Sequence, residues 1–70
     1  MSESVYKIID LVGSSSKSWE DAASTAIAKA SKSVRDLRIA EVQKFDIKVE
    51  DGKPTAFRIN LRLSFKYQDE

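Results

Sequence analysis

The sequence contains neither cysteine nor histidine. Disulfides are therefore excluded, and so are zinc or iron sites of the usual Cys/His kind and acid/base catalysis by histidine. A serine nucleophile would lack its usual base as well, so we predict that the protein is not an enzyme. A chain of 70 residues without these supports buries only a small core, and self-association is the expected source of further burial.

An excess of one charge and a long apolar run are also missing. Twelve Lys and Arg residues stand against eleven Asp and Glu residues, with no run of like charge that would indicate a nucleic-acid or membrane-surface partner. No apolar stretch approaches the roughly 20 residues of a membrane span, and the start MSESVYK lacks the basic and apolar regions of a signal peptide. We therefore expect a cytoplasmic protein with no nucleic-acid and no membrane partner.

The first half of the chain predicts a strand and then a helix. Residues 4–12, SVYKIIDLV, are rich in β-branched and aromatic residues and stop at Gly13, which is typical of a buried strand. Ser18 followed by Asp21 is a variant of the capping box that opens helices. Apolar residues then recur at three- and four-residue intervals, which predicts an amphipathic helix ending near Asp36. Most of these are alanines, so the helix lies close to its partner and contributes little apolar area.

The second half predicts a β-hairpin. Residues 37–50 and 54–67 flank the Asp-Gly step of EDGKP, which is a strong signal for a tight hairpin turn. In the last strand the odd positions from Phe57 to Tyr67 are all apolar, whereas the even positions from Ala56 to Lys66 are mostly polar. Since side chains alternate between the faces of a strand, the odd face is expected to meet the helix.

The other hairpin strand does not alternate cleanly. Phe45, Ile47 and Val49 match the apolar face across the hairpin, but Ala40 and Val42 match it only if the parity of the side chains changes once. One extra residue near Gln43 and Lys44, a β-bulge, produces that change.

With this bulge, Glu41 lies opposite Arg62. Ile39 then turns to the face away from the helix, where a partner or a ligand is needed to cover it.

The predicted fold class is α+β. The element order is β-α-β-β, and a right-handed crossover gives a three-stranded antiparallel sheet of strand order 1-3-2 wrapped on one helix. No repeat, linker or low-complexity segment interrupts the chain, so residues 1–70 are expected to form one domain.

The chain resembles the dodecin family along nearly its whole length. The resemblance lies in VYKIIDLVGSS, in the alanine-rich WEDAASTAIAKA, and in AEV followed by a bulged hairpin that ends in LSF. It implies a small protein that assembles as a hollow homododecamer and, in most members, binds flavins in pairs near two-fold axes.

The resemblance also implies candidate ligand residues. Flavin-binding dodecins stack the flavin on a tryptophan just before the AEV-like segment and hold its polar edge with a glutamine in the last strand. Here these positions are Ile39 and Arg58, with Glu41 nearby. Isoleucine has no π-face, and arginine only donates hydrogen bonds, so the binding of FMN or riboflavin is expected to be weakened. The single tryptophan, Trp19, is expected to pack in the first helical turn.

A branch of the family that lacks this tryptophan and glutamine is associated with calcium, and the chain resembles that branch more closely. The candidate metal ligands are Asp46, Glu50 and Asp10. Asp46 and Glu50 share a strand face, but four residues at about 3.3 Å each separate them by roughly 13 Å. A calcium ion needs several oxygens, so symmetry copies would have to contribute them.

Our first hypothesis is a dodecin-like homododecamer that binds and sequesters a small ligand or ion. The alternatives are a purely structural homo-oligomeric assembly and a flavin-storing dodecin that tolerates the substitutions. An RNA-binding sheet using Arg58, Arg62 and Lys66 ranks last, because that face lacks the aromatic residues on which such sheets stack bases.

Overall fold

The computed structural model describes residues 4–67. Three strands and one helix follow in the order β1 (Tyr6–Ser15), α1 (Trp19–Ser31), β2 (Leu37–Glu50) and β3 (Lys53–Lys66). The strands form one antiparallel sheet of order β1-β3-β2. The predicted α+β class, element order and strand order are confirmed. The predicted domain of residues 1–70 includes residues 1–3 and 68–70, which lie outside the described residues.

Strand β1 continues past its predicted end at Val12. Gly13 stays within the strand, with its Cα opposite that of Ile59. A Cβ atom at Gly13 would lie 2.5 Å from the carbonyl oxygen of Ala22 in the helix, a distance that real Cβ contacts do not reach. The glycine therefore allows the helix to approach the sheet closely, and the prediction that it ends the strand is wrong.

The helix begins as predicted. The Ser18 hydroxyl accepts a hydrogen bond of 3.0 Å from the backbone N–H of Asp21, which satisfies one of the free donors of the first turn. The Asp21 carboxylate in turn accepts a 2.7 Å hydrogen bond from the Ser15 hydroxyl. The end of β1 and the start of α1 are thereby tied together.

The helix ends at Ser31, before the predicted end near Asp36. The N–H groups of Ser33 and Val34 both donate to the Ala30 carbonyl, at 3.1 and 2.9 Å. Asp36 then adopts a left-handed φ of 59°, which aspartate tolerates better than most residues, and the chain turns into β2. The apolar Val34 extends the helical pattern beyond the helix itself.

The core lies between the alanine stripe of α1 and the odd face of β3. Leu61 and Leu63 are each only 1% exposed, which confirms that this face meets the helix. The buried cluster consists of Ala22, Ala26, Ala30, Ile59, Leu61 and Leu63.

The predicted bulge in β2 is confirmed. Val42 lies opposite Leu61 and Lys44 opposite Asn60, so Gln43 is the extra residue. The sequence pattern predicts one irregularity, but the register also shifts between Leu37 and Ile39 and between Lys48 and Val49. The predicted pairing of Glu41 with Arg62 is present.

The hairpin extends beyond the rest of the molecule. Because β1 ends opposite Phe57, residues 47–56 form a two-stranded projection, which we call the hairpin arm. The chain is accordingly elongated, with extents of 55 × 20 × 14 Å. Phe45, Ile47 and Val49 match the apolar face, as predicted, but they are exposed. The turn has positive φ at Asp51 and Gly52, as a type I′ hairpin requires.

Candidate functional site

Most predicted site residues lie on the sheet face that points away from the helix, which we call the outer face. Side-chain alternation places there the β3 residues Arg58, Asn60, Arg62 and Ser64 together with their cross-strand partners. These partners are Ile8, Asp10, Val12 and Ser14 in β1 and Ile39, Glu41, Lys44 and Asp46 in β2. Glu50 lies elsewhere, at the end of the hairpin arm opposite Lys53.

Two of the predicted site residues, Arg58 and Asp46, form one ion pair. Arg58 donates from Nε to Asp46 Oδ1 at 2.7 Å and from Nη2 to Oδ2 at 2.9 Å, which is the bidentate geometry that suits a guanidinium and a carboxylate. These hydrogen bonds lower the pKa of Asp46 below its ordinary value, and the charge of Arg58 adds to the effect. The pair was missed from the sequence, although continuing the strand register past the Gln43 bulge would have placed Asp46 opposite Arg58.

A second ion pair lies further along the outer face. Arg62 Nε donates to Asp10 Oδ1 at 3.1 Å. The hydrogen bond to Asp10 raises the pKa of Arg62, and the charges of Asp10 and Glu41 act in the same direction. Arg62 therefore lies between an acidic residue of β1 and one of β2, at the centre of the sheet.

The carboxylates predicted to bind metal do not converge within one chain. Asp46 and Asp10 each accept a hydrogen bond from an arginine, and Glu50 lies 3.5 Å from Lys48 Nζ. Among residues 4–67, no group of three or more His, Cys, Asp or Glu residues could hold a metal ion. The described residues of one chain therefore do not form a calcium site by themselves.

Ile39 faces away from the helix, as predicted, and is 61% exposed. It borders an open hollow of about 590 Å³ with Tyr6, Arg38 and Ser64. No aromatic ring stands at position 39, and the guanidinium of Arg58 is already held by Asp46. The two residues therefore do not provide the stacking surface and the amide that the flavin-binding arrangement requires.

Trp19 is half-buried and packs against two aromatic rings of the hairpin. Its ring lies 4.9 Å from that of Phe45 and 5.4 Å from that of Phe57, and its Nε1 donates to the Asp46 carbonyl oxygen at 3.2 Å. The tryptophan joins the start of the helix to the base of the hairpin arm, and this agrees with the packing role expected for it.

Asn60 lies on the outer face and was not predicted from the sequence as a site residue. Within the described part of the chain, its Oδ1 atom is buried and has no hydrogen-bond partner. The residue borders a cavity of about 160 Å³ beside Lys44, Asp46 and Arg58. No sequence signal distinguishes Asn60 from the other polar residues on even positions of β3.

Residues 4–67 contain no helix with the length and apolar character needed to cross a membrane.

Comparison with known proteins assigns the family. The profile of the family described as Dodecin matches residues 5–68. Calcium dodecin from Mycobacterium tuberculosis is 46% identical over 63 residues, which make up 90% of this chain and 89% of that protein.

Solved structures give the same result. A crystal structure of the M. tuberculosis calcium dodecin, described as calcium chelating and as having a novel calcium-binding site, matches with a TM-score of 0.82 and 45% identity over 93% of each chain. Dodecin from Streptomyces coelicolor matches with a TM-score of 0.93 and 28% identity over the full length of both chains. The chain belongs to the dodecin family.

Proposed function

We propose that the protein is a binding and sequestering module that forms a hollow homododecamer, holds calcium at sites shared between copies, and catalyses no reaction. We propose a cytoplasmic location, which is consistent with membership of the dodecin family.

Self-association is supported by the apolar surface that a single chain exposes. Phe45, Ile47 and Val49 are exposed at successive positions on one face of β2, and Ile8, Val12 and Ile39 are exposed on the outer face. Isolated exposed apolar residues are common on monomers, but contiguous apolar surface generally indicates an interface. Because the chain is small and has no disulfide, covering this surface with further copies is an effective source of stability.

The ion pair between Arg58 and Asp46 is the main reason for proposing calcium rather than flavin as the ligand. It occupies the position where a flavin-binding dodecin is expected to present a glutamine, and the stacking position holds Ile39. A relative at 46% identity is a calcium dodecin. Both facts favour an ion as the ligand of this chain.

A shared site is needed because the oxygens of one chain do not converge. Calcium takes six to eight oxygen ligands, and Asp10, Asp46 and Glu50 are each engaged with a basic residue. Copies related by symmetry must therefore supply oxygens to a common point. Asp46, Glu50 and Asp10 are the residues that we propose for this role.

Thermal unfolding tests the proposal. A ligand that binds only the folded assembly stabilises it by about 2.7 kcal/mol at a hundredfold excess over its dissociation constant. The protein should therefore unfold at a higher temperature in millimolar calcium than in chelator, with magnesium as the control for ionic strength. Three variants are measured separately: Asp46→Asn, Glu50→Gln and Asp10→Asn. Each should reduce the difference between the two unfolding temperatures if its residue binds calcium. Equal midpoints in calcium and in chelator would contradict the calcium proposal.

A purely structural assembly is the second candidate function. The pairing of Asp46 and Asp10 with arginines favours it, since such pairs satisfy the carboxylates without any metal. Under this alternative, light scattering still reports the assembly while calcium leaves the unfolding midpoint unchanged.

Flavin storage is tested by fluorescence. We expect the protein to quench riboflavin only weakly, whereas Ile39→Trp combined with Arg58→Gln should strengthen the quenching by restoring a stacking surface and an amide. Quenching by the unaltered protein at nanomolar concentration would favour flavin storage instead.

A further inference from the structure

A groove lies between the helix and the free edge of β1. It has a volume of about 410 Å³, which is within the size range of sites that accept ligands or side chains. Ile9, Leu11, Ala26 and Val34 give it an apolar floor, and the exposed Thr25 and Lys29 stand at its rim. Strand β1 pairs only with β3 in this sheet, so nothing in the described chain covers this side of the groove.

The hairpin arm and its base carry the complementary feature. Phe45, Ile47 and Val49 are 57%, 41% and 61% exposed and follow one another on β2. Glu50 and Asp51 lie at the end of the arm. Lys48 Nζ lies 3.5 Å from the Glu50 carboxylate and Lys53 lies opposite Glu50, so the arm offers an exposed apolar strip rather than net charge. The strip and the groove match because both are apolar and both are left uncovered within one chain.

The strip and the groove cannot meet within one chain. Strand β3 lies between β1, which forms the groove, and β2, which carries the strip. The arm also projects away from the groove, because β1 ends opposite Phe57 at the base of the arm. Any contact between them must therefore join two copies of the chain.

Extension of the sheet from copy to copy is a poorer alternative. Strand β2 carries extra residues at Arg38 and Gln43, and bulges of this kind interrupt the regular row of hydrogen-bonding groups that edge-to-edge pairing needs. Association through the apolar side chains avoids this difficulty.

We propose that the apolar strip of the hairpin arm in one copy packs into the groove between α1 and β1 of the next copy. The inference rests on the self-association proposed above and identifies its two contacting surfaces. Since the surfaces differ, the contact is heterologous, and a closed assembly requires it to repeat around a rotation axis. Each copy then donates its arm to one neighbour and accepts the arm of another.

Disulfide trapping tests this contact, and the chain is suited to it because it has no cysteine. Thr25→Cys places a thiol at the rim of the groove, and Ile47→Cys places one on the strip. On oxidation, the double variant should form covalent species of three or more chains on a non-reducing gel. Neither single variant should do so, because a heterologous contact does not bring identical residues together.

Thr25→Cys combined with Lys48→Cys is the matched control. Lys48 neighbours Ile47 on β2, but its side chain points to the opposite face. This pair should remain mostly monomeric on the gel. A second measurement avoids cysteine: Ile47→Asp should lower the mass of the assembly in light scattering, whereas Lys48→Asp should leave it unchanged.

Any other result of these experiments would contradict the proposed contact. Cross-linking of Ile47→Cys to itself would indicate an isologous interface, and equal cross-linking of the control pair would indicate a non-specific encounter. An intact assembly with no cross-link in the test pair would reject this contact and leave the assembly standing. A monomer of the unaltered protein in light scattering would reject both the contact and the assembly.

Discussion

The helix-covered part of the sheet and the hairpin arm have similar apolar patterns but differ in burial. In the covered part, Leu61 and Leu63 are 1% exposed, whereas Ile47 and Val49 in the arm are 41% and 61% exposed. Both pairs are apolar residues of the same hairpin. The pattern of a strand therefore identifies its apolar face but does not decide whether that face is buried within its own chain.

The difference follows from the lengths of the elements. A helix of 13 residues is about 20 Å long at 1.5 Å per residue. A strand of 14 residues is about 46 Å long at 3.3 Å per residue. One helix covers less than half of the hairpin, and the uncovered part is the region through which we expect copies to associate.

The largest effect is expected at the covered core. Leu61→Ala should lower the free energy of unfolding by about 2–5 kcal/mol, because it leaves a cavity under the helix. Val49→Ala is the comparison in the arm, and its cost should be smaller and should grow with protein concentration if the arm is buried by another copy. Urea unfolding at two protein concentrations measures both. Equal costs that do not depend on concentration would remove the distinction between the two regions.

Substitutions of the two glycines also compare the helix-covered part of the sheet with the hairpin arm. Gly13→Ala should cost about 1–3 kcal/mol because the new methyl group meets the helix backbone. Gly52→Ala in the arm meets no atom within 4 Å, and its cost should come only from its φ of 73°.

Substitution by asparagine distinguishes the steric cause at Gly13 from the backbone cause at Gly52. Gly52→Asn should recover much of the loss because asparagine tolerates positive φ, whereas Gly13→Asn should not. Thermal unfolding of the four variants checks this. Recovery by asparagine at Gly13 would contradict the steric explanation.

Much of the fold could be predicted because local patterns specify it. The Asp51–Gly52 step fixed the hairpin turn, and the odd apolar positions of β3 identified its buried face. The broken alternation before Phe45 located the bulge at Gln43. In each case the signal lies within a few residues of the feature, and no distant contact opposes it.

What could not be predicted depends on contacts between distant residues. Val34 has the spacing of a helical core residue, yet the helix ends at Ser31 as the chain turns into β2. Arg58 and Asp46 were assigned to different ligands, and only the contacts between the two strands show that their side chains bind each other. Calcium ligands contributed by several copies leave no recognisable spacing in one chain.

A smaller effect is expected where the covered region begins. Ser18→Ala should cost about 1 kcal/mol, since it removes the side chain that accepts from the first turn of the helix. Ser16→Ala is the matched control at an exposed position, and it should stay within about 0.5 kcal/mol of the unaltered protein. Urea unfolding compares the two. Equal effects would mean that the cap does not anchor the helix against β1.

The smallest effect is expected at the ion pair of the outer face. Both side chains are about half exposed, at 50% for Arg58 and 51% for Asp46, and exposed pairs contribute little and are screened by salt. Since the hydrogen bonds from Arg58 lower the pKa of Asp46 in the folded protein, the stabilisation is present above the ordinary aspartate pKa of about 4 and is lost as the pH falls through the lowered value. In chelator at about pH 7, Asp46→Asn should lower the urea midpoint slightly, and the difference should shrink as the pH falls below about 4 or when the salt is raised to about 1 M at pH 7. In the Arg58→Gln background, Asp46→Asn should have no effect at any of these conditions. A difference that persists at low pH would show that Asp46 stabilises the fold through something other than its charge.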